Sequence, residues 1–524
     1  MKMNHRWALG LFLIVLAAAV WAQDNPRVMS ISLEDAIAKT LKNNLGLAIQ
    51  VLGPQQAEYG VALAKEKFLP TVSFSYGKQN TDSPSVTSVD ASGNLIQKTN
   101  NFTFLQATES VPFGGTFNLS MTGGKTDQNR TGVTINPSFN TTLRFSFTQP
   151  LLRNFGYNIS RYNIIIAQKS LNVSNYQLKQ TLLDTIYSVE NGYWNLVYSI
   201  ENLNVRVLSL KLAKDLLEQN QRMVEIGTLA PMEILAAQSE VATRDADLIQ
   251  AQTQVKSAED QLKVLINMPE DEARAVDSII PLDSPSFEER KMGLDEALAT
   301  ALQLRPDLEA TKINAEIQQI DLGYAKNQLL PDLNLSAGYW SPGVSGTQIF
   351  YIGNPIFGII DPSHPPIPGD LGQAFANTMR FKNNNWSVGL TLNIPLSNLF
   401  SKANYYQAKV SLQQAILTLQ NQQQQLFLQI KNDTRTVEAN FKRITAYKIA
   451  RELAEQKLAA EQEKFKVGQS TNYTVLSYQR DLANARISEL NAIVAYNVSL
   501  SAMDHDLGVS LKNRNVRIAD YIQN

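Results

Sequence analysis

Thr181-Leu182-Leu183-Asp184-Thr185-Ile186-Tyr187-Ser188-Val189-Glu190-Asn191-Gly192-Tyr193-Trp194-Asn195-Leu196 opens a stretch in which apolar residues recur at alternating gaps of four and three. The series Leu182, Ile186, Val189, Tyr193, Leu196 runs on through Ile200, Leu203, Val207 and Leu210, breaks at Lys214 and resumes at Leu217. A sustained period near 3.5 residues is a coiled-coil seam. Past Gly227, the residues Ile234, Val241, Leu248, Val255 and Leu262 recur every seven positions, with Ala237, Ala251, Ala258 and Leu265 three positions on. A later stretch keeps the same register in Leu412, Ile416, Leu419, Leu426, Ile430, Val437, Ile444 and Tyr447. Between the seams the chain is rich in Gln, Asn, Ser, Ala and Lys, as in Asn421-Gln422-Gln423-Gln424-Gln425, so the other faces meet water. The 77 residues from Pro150 to Gly227 would reach roughly 100 Å as a helix.

The two seams belong to a longer duplication. Ala64-Lys65-Glu66-Lys67-Phe68-Leu69-Pro70 returns as Ala325-Lys326-Asn327-Gln328-Leu329-Leu330-Pro331, an offset of 325 − 64 = 261. Leu33-Glu34-Asp35-Ala36 returns as Leu294-Asp295-Glu296-Ala297 at the same offset, and Gly227 matches Gly468 at 241. So long a period is domain-sized rather than a solenoid unit. The expected organisation is a signal peptide over 1–22, a first repeat over 23–269 and a linker over 270–293. A second repeat over 294–508 and a tail over 509–524 complete it.

Each repeat also carries strictly alternating segments. Val72-Ser73-Phe74-Ser75-Tyr76, Phe117-Asn118-Leu119-Ser120-Met121 and Leu143-Arg144-Phe145-Ser146-Phe147 lie in the first. Leu333-Asn334-Leu335-Ser336-Ala337 and Val388-Gly389-Leu390-Thr391-Leu392-Asn393-Ile394 lie in the second. Period-two alternation gives a strand one apolar and one polar face. Taken alone, it fits a transmembrane barrel and a soluble sandwich equally. Tyr339, Trp340 and Trp386 near strand ends suit an interfacial aromatic girdle. The fold class expected is long coiled-coil helical hairpins, forming an α-barrel tunnel, joined to amphipathic strands of a β-barrel.

Pro70, Pro150, Pro331 and Pro395 mark the joints between strand and helix, because proline ends both ladders and helices. Ile226-Gly227 and Val467-Gly468 end the long helices, glycine suiting the left-handed position beyond a helix terminus. Pro231 falls near the first turn of the returning helix, where its missing N–H costs little.

Composition bounds the compartment and the chemistry. Lys2, His5 and Arg6 precede an apolar run over 9–20 and Val20-Trp21-Ala22, a secretory signal with cleavage expected after Ala22. No later segment offers the ~18 consecutive apolar residues of a membrane helix. No cysteine occurs, which excludes disulfides, thiolate metal sites and a lipid-bearing N-terminal Cys. A net charge of −1 argues against a nucleic-acid binder. There is no G-x-S-x-G, Walker or H-E-x-x-H pattern. The three histidines are dispersed: His5 in the signal, His364 in a Pro-rich insert and His505 alone near the end of the last long helix. No enzyme, cofactor or metal is expected, and the Asp/Glu pairs read as solvated partners of Lys on helical surfaces.

The chain resembles the TolC-like outer-membrane efflux proteins. The resemblance is carried by Leu33 to Ala36 and Leu294 to Ala297, Leu69-Pro70 and Leu330-Pro331, and Pro150 and Pro395. The tips Ile226-Gly227-Thr228 and Val467-Gly468-Gln469 add to it, and together these features cover roughly residues 31–509. It implies a homotrimer in the outer membrane in which each protomer gives four strands to one 12-stranded barrel, above a periplasmic tunnel of twelve helices. It implies too that Ile226, Gly227, Thr228, Val467, Gly468 and Gln469 dock a periplasmic adaptor linked to an inner-membrane transporter. The function expected is an exit duct for small molecules in a tripartite efflux system. Type I protein secretion and a coiled-coil surface protein without a pore are the alternatives.

Two departures from the family pattern stand out. Phe102 to Leu105, Ala107 to Pro112 and Thr116 to Thr122 are strand-like beyond what one strand needs, and read as an extra hairpin in an external loop. The second repeat carries a Pro/Gly-rich insert over 341–370, with Phe350, Tyr351, Phe357, Ile359 and Ile360, which resists regular structure. It reads either as a cover of the outer mouth or as a surface loop. At the tunnel tip some relatives place carboxylates where this chain has Thr474 and Ser477. Glu233, six residues after Gly227, is the acidic candidate for a constriction; in a trimer three such carboxylates would attract cations. An ordinary Glu favoured at a helix N-terminus is the other reading.

Overall fold

The seams become single long helices in a computed structural model that describes residues 27–84, 94–130, 132–285, 287–353 and 359–517. The chain begins with β1 (Arg27–Ile31), α1 (Leu33–Asn43) and α2 (Leu45–Glu66). Four strands follow: β2 (Thr71–Ser83), β3 (Leu95–Ser110), β4 (Thr116–Gln128) and β5 (Ile135–Pro150). Then come α3 (Tyr157–Ser160), α4 (Tyr162–Glu225), α5 (Met232–Ile266), α6 (Glu270–Ala275) and β6 (Val276–Pro281). The remainder is α7 (Leu294–Leu304), α8 (Pro306–Asn327), β7 (Asp332–Gln348), α9 (Leu371–Met379), β8 (Asn385–Asn393), α10 (Leu399–Lys466), α11 (Asn472–Asp506) and α12 (Ser510–Asn513). Lengths correspond between the halves: α1 and α7 have 11 residues each, α2 and α8 have 22, and α5 and α11 have 35. The signal segment lies outside the described residues.

Two compact units divide the chain. The first comprises, among described residues, 27–54, 174–310 and 420–517. Its core sets Leu178, Leu182, Ile186, Val189, Tyr193 and Leu196 of α4 against Leu262 and Ile266 of α5, with Ala36 and Ile37 of α1 and Ile279 of β6. Burying a Leu or Ile side chain stabilises by about 1.5–3 kcal/mol, so this cluster anchors the unit. The stretch read as a linker contains α6 and β6, and β6 pairs in parallel with β1. Tyr193 ties that pair to α4, its hydroxyl reaching Asp283 Oδ2 at 2.8 Å and Ile31 O at 3.3 Å.

The seam departs from expectation beyond Leu196. Val207 is 51% exposed, and although Leu210 is buried as expected, Asn202, Ser209, Ala213 and Leu216 join the buried line. A straight helix has 3.6 residues per turn and drifts about 20° per heptad against a 3.5 repeat, so another set of residues rotates inward. On α5 the fully buried line includes Ala237, Ala251 and Ala258, while Ile234, Val241 and Leu248 are half-buried. Small side chains there leave room for a close helix neighbour.

The second unit comprises residues 55–173 and 311–419. Its sheet holds six strands in the order β2-β3-β4-β5-β7-β8, with β2 and β8 at the two ends. Neighbours are antiparallel throughout. The four strands that the resemblance implies are joined in this sheet by the two of the extra hairpin. The register puts Val72, Ala107, Leu119, Phe145, Tyr339 and Trp386 on one row of one face. Thr71, Thr108, Asn118, Ser146, Gly338 and Ser387 form the row beside it on the other face. Trp340 lies on the polar face under the Arg144 guanidinium, 4.8 Å from its ring centroid, so it leaves the expected girdle. Tyr339 and Trp386 remain on the apolar face.

The extra hairpin is β3–β4, but it does not hang in an external loop. Both strands lie in the sheet, and their turn at 111–115 reaches back beside the joint after Pro150. Gly156 N–H donates to Phe113 O, Gln149 Nε2 donates to Phe113 O at 3.2 Å, and a Cβ on Gly114 would meet Asn154 O at 2.4 Å. The insert is also more regular than expected. Residues 341–348 continue β7, and α9, capped by Asp370, follows the loop. Gly343 lets α9 approach, since a Cβ there would stand 2.2 Å from Ala374 O, and Thr378 Oγ1 lies 2.5 Å from Thr141 Oγ1. Proline breaks the ladder, but Pro342 sits in β7 opposite Thr142 near the α9 contact. Phe357 lies outside the described residues. The four joint prolines fall at strand ends: Pro70 precedes β2, Pro150 closes β5, Pro331 precedes β7 and Pro395 follows β8.

Candidate functional site

The helix-ending turns of the first unit are built alike. Gly227 has φ +77° and Gly468 has φ +75°, the left-handed conformation that glycine reaches without strain. Thr228 N–H donates to Met223 O at 2.9 Å, and Gln469 N–H donates to Lys464 O at 2.8 Å. Gly227 N–H meets Val224 O and Gly468 N–H meets Phe465 O, so both turns satisfy the last helical carbonyls in Schellman fashion. Ile226 and Val467 project outward, 73% and 69% exposed. A Cβ on either glycine would meet nothing within 4 Å. Each turn therefore presents a bare backbone edge beside one apolar side chain.

Behind the turns, one hairpin is fastened to the other. Asn472, the first residue of α11, is buried; its Nδ2 donates to Glu233 Oε2 at 3.0 Å, and its Oδ1 accepts from Asn220 Nδ2 at 2.9 Å. Leu216, Leu458, Phe465, Val475, Leu476 and Leu482 pack into a common apolar cluster. Glu233 is thus joined to Asn472 rather than to Thr474 or Ser477. Thr474 instead shares a hydrogen bond with Thr471, the cap of α11, and both Thr474 and Ser477 are half-buried. Sequence reasoning missed Asn472 and Asn220, because an uncharged amide in no motif gives no signal of a cross-hairpin bond.

A second cluster lies at the opposite end of α11. His505, expected to stand alone, holds Asp506 Oδ1 through Nδ1 at 2.8 Å and Asp184 Oδ1 of α4 through Nε2 at 2.7 Å. Gln429 of α10 donates to Asp506 Oδ2 at 2.7 Å, and Arg305, between α7 and α8, reaches Gln429 Oε1 at 3.3 Å. Burial alone would lower the His505 pKa, but its bonds and charge attraction to Asp184 and Asp506 prevail and raise it to about 9. Burial and the neighbouring Asp506 carboxyl raise Asp433 to about 7. Carboxylates on the helices were expected to be solvated partners of lysine; the fold instead buries Asp506 and half-buries Asp433, while Asp184 stays exposed. The cluster ties four helical elements together and contains no nucleophile poised against a base. Among the described residues no group of three or more His, Cys, Asp or Glu is arranged to hold a metal ion, and no helix is long and apolar enough to cross a membrane.

Comparison with known proteins identifies the class. Residues 36–268 and 297–508 each match the family described as Outer membrane efflux protein. The chain belongs to that family: it is an outer-membrane efflux protein. It is 22% identical over 485 residues to the outer membrane efflux protein BepC of Brucella suis, covering 92% of this chain and 84% of that one. The fold is shared with the Campylobacter jejuni CmeC outer membrane channel (TM-score 0.65, 15% identity, 94% and 89% of the two chains). It is shared likewise with the open state of Neisseria gonorrhoeae MtrE (TM-score 0.62, 19% identity, 93% and 90%).

Proposed function

We propose that this protein is the passive exit duct of a tripartite efflux system, working as a homotrimer with a periplasmic adaptor and an inner-membrane transporter. The observation that carries the reading is the open amphipathic sheet of the second unit, whose end strands β2 and β8 have no further strand paired to them among the described residues. Open edges are not tolerated in lipid, and closure with other copies removes every one of them. Val388, Leu390 and Leu392 of β8 and Phe74 and Tyr76 of β2 are exposed, as a lipid-facing wall requires.

The helices ask for the same neighbours. Ile249 and Val264 of α5 and Leu417 and Leu428 of α10 are exposed on surfaces that other copies would cover to form the tunnel. The matched lengths of α1 and α7, α2 and α8, and α5 and α11 support two repeats within 23–269 and 294–508, arranged about a pseudo-symmetric axis. In this reading Ile226, Gly227, Thr228, Val467, Gly468 and Gln469 form the adaptor-docking tips. Glu233, Thr474 and Ser477 line the tunnel near its end. Transport then needs no catalysis by this chain, and substrate choice rests with the transporter.

Native mass spectrometry of detergent-extracted protein tests the assembly. Three chains of 58.3 kDa less their signals give about 170 kDa. A stable monomer would overturn the closure.

A further inference from the structure

We infer that the β3–β4 hairpin is part of the barrel wall, so that three copies of the six-stranded sheet close an eighteen-stranded barrel through β8 of one copy and β2 of the next. The inference rests on the trimeric reading above and concerns what that trimer builds in the membrane.

Two observations carry it. The first is length. β3 has 16 residues and β4 has 13, against 16 for β5 and 17 for β7, and a membrane crossing needs about 9–11. The hairpin also runs the whole way back: its turn rests on the joint at Gln149 and Gly156, the level at which the other strands meet their helices. The second is the split of faces. Leu105, Ala107, Phe117, Leu119 and Met121 share the face of Leu143, Phe145 and Phe147, while Gln106, Thr108, Asn118 and Ser120 share the face of Arg144 and Ser146. A hairpin folded away into water would have no reason to continue the lipid-facing alternation of its neighbours.

The absence of cysteine makes single-site labelling clean. Asn118→Cys and Leu119→Cys, each carrying a nitroxide, are reconstituted in vesicles and compared for collision with oxygen, which concentrates in lipid, and with a water-soluble nickel chelate. Oxygen should dominate at position 119 and the chelate at position 118, with label at Leu390→Cys behaving as at 119. Chelate access at both 118 and 119, with Leu390→Cys still lipid-exposed in a trimer of normal mass, would remove the hairpin from the wall while leaving the trimer intact. A monomer by native mass would overturn the closure at any strand number.

Discussion

Gly227 and Gly468 hold positive φ with open space where a side chain would stand. Substitution there costs backbone strain but creates no clash inside the chain. Gly468→Ala should therefore destabilise the turn by about 1 kcal/mol and leave export nearly normal. Gly468→Leu adds bulk on the surface assigned to the adaptor. It should keep trimer levels in the outer membrane, reduce cross-linking to the adaptor and abolish export. Normal export at normal trimer levels would remove the docking assignment from this turn. The exposed Ile226 and Val467 beside the glycines are the apolar contacts such a partner would cover.

At the scale of elements, the cluster at His505 makes the packing of α4, α7, α10 and α11 depend on pH. The His505 pKa is raised from 6.5 to about 9, so its stabilisation is complete below about pH 6.5 and is lost as pH rises through about 9. Asp433, raised to about 7, acts in the same direction, its contribution falling as pH rises through that value. The difference in thermal stability between wild type and His505→Gln should be greatest near pH 6, on the order of 3 kcal/mol, and shrink toward pH 9.5. A difference independent of pH, followed by the helical circular dichroism signal, would mean that His505 is not charged against Asp184 and Asp506. This cluster was illegible in the sequence, since Asp184, Arg305, Asp433 and His505 are far apart in the chain and share no spacing. The helices and strands were legible because periods of 3.5 and 2 are local. The placing of the extra hairpin was not: alternation marked Phe102 to Leu105 and Thr116 to Thr122 as strand-like, but only their register with β2 and β5 places them in the same sheet. The glycine turns were readable from Gly227 and Gly468 alone, whereas the Asn472–Glu233 bond behind them depends on two hairpins meeting.

For the whole molecule, family membership and fold agree with a duct, and the proposed trimer would cover the surfaces left open in one chain. The sheet ends at β2 and β8, and apolar residues of α5 and α10 remain exposed. In the proposed trimer, copies of the same chain would meet both needs. Single-channel recording in planar bilayers tests this most directly. Purified trimer should insert and give discrete conductance steps, with no dependence on any added energy source. Trimers that insert into the bilayer yet give no conductance steps at any voltage, with or without the adaptor, would contradict the account.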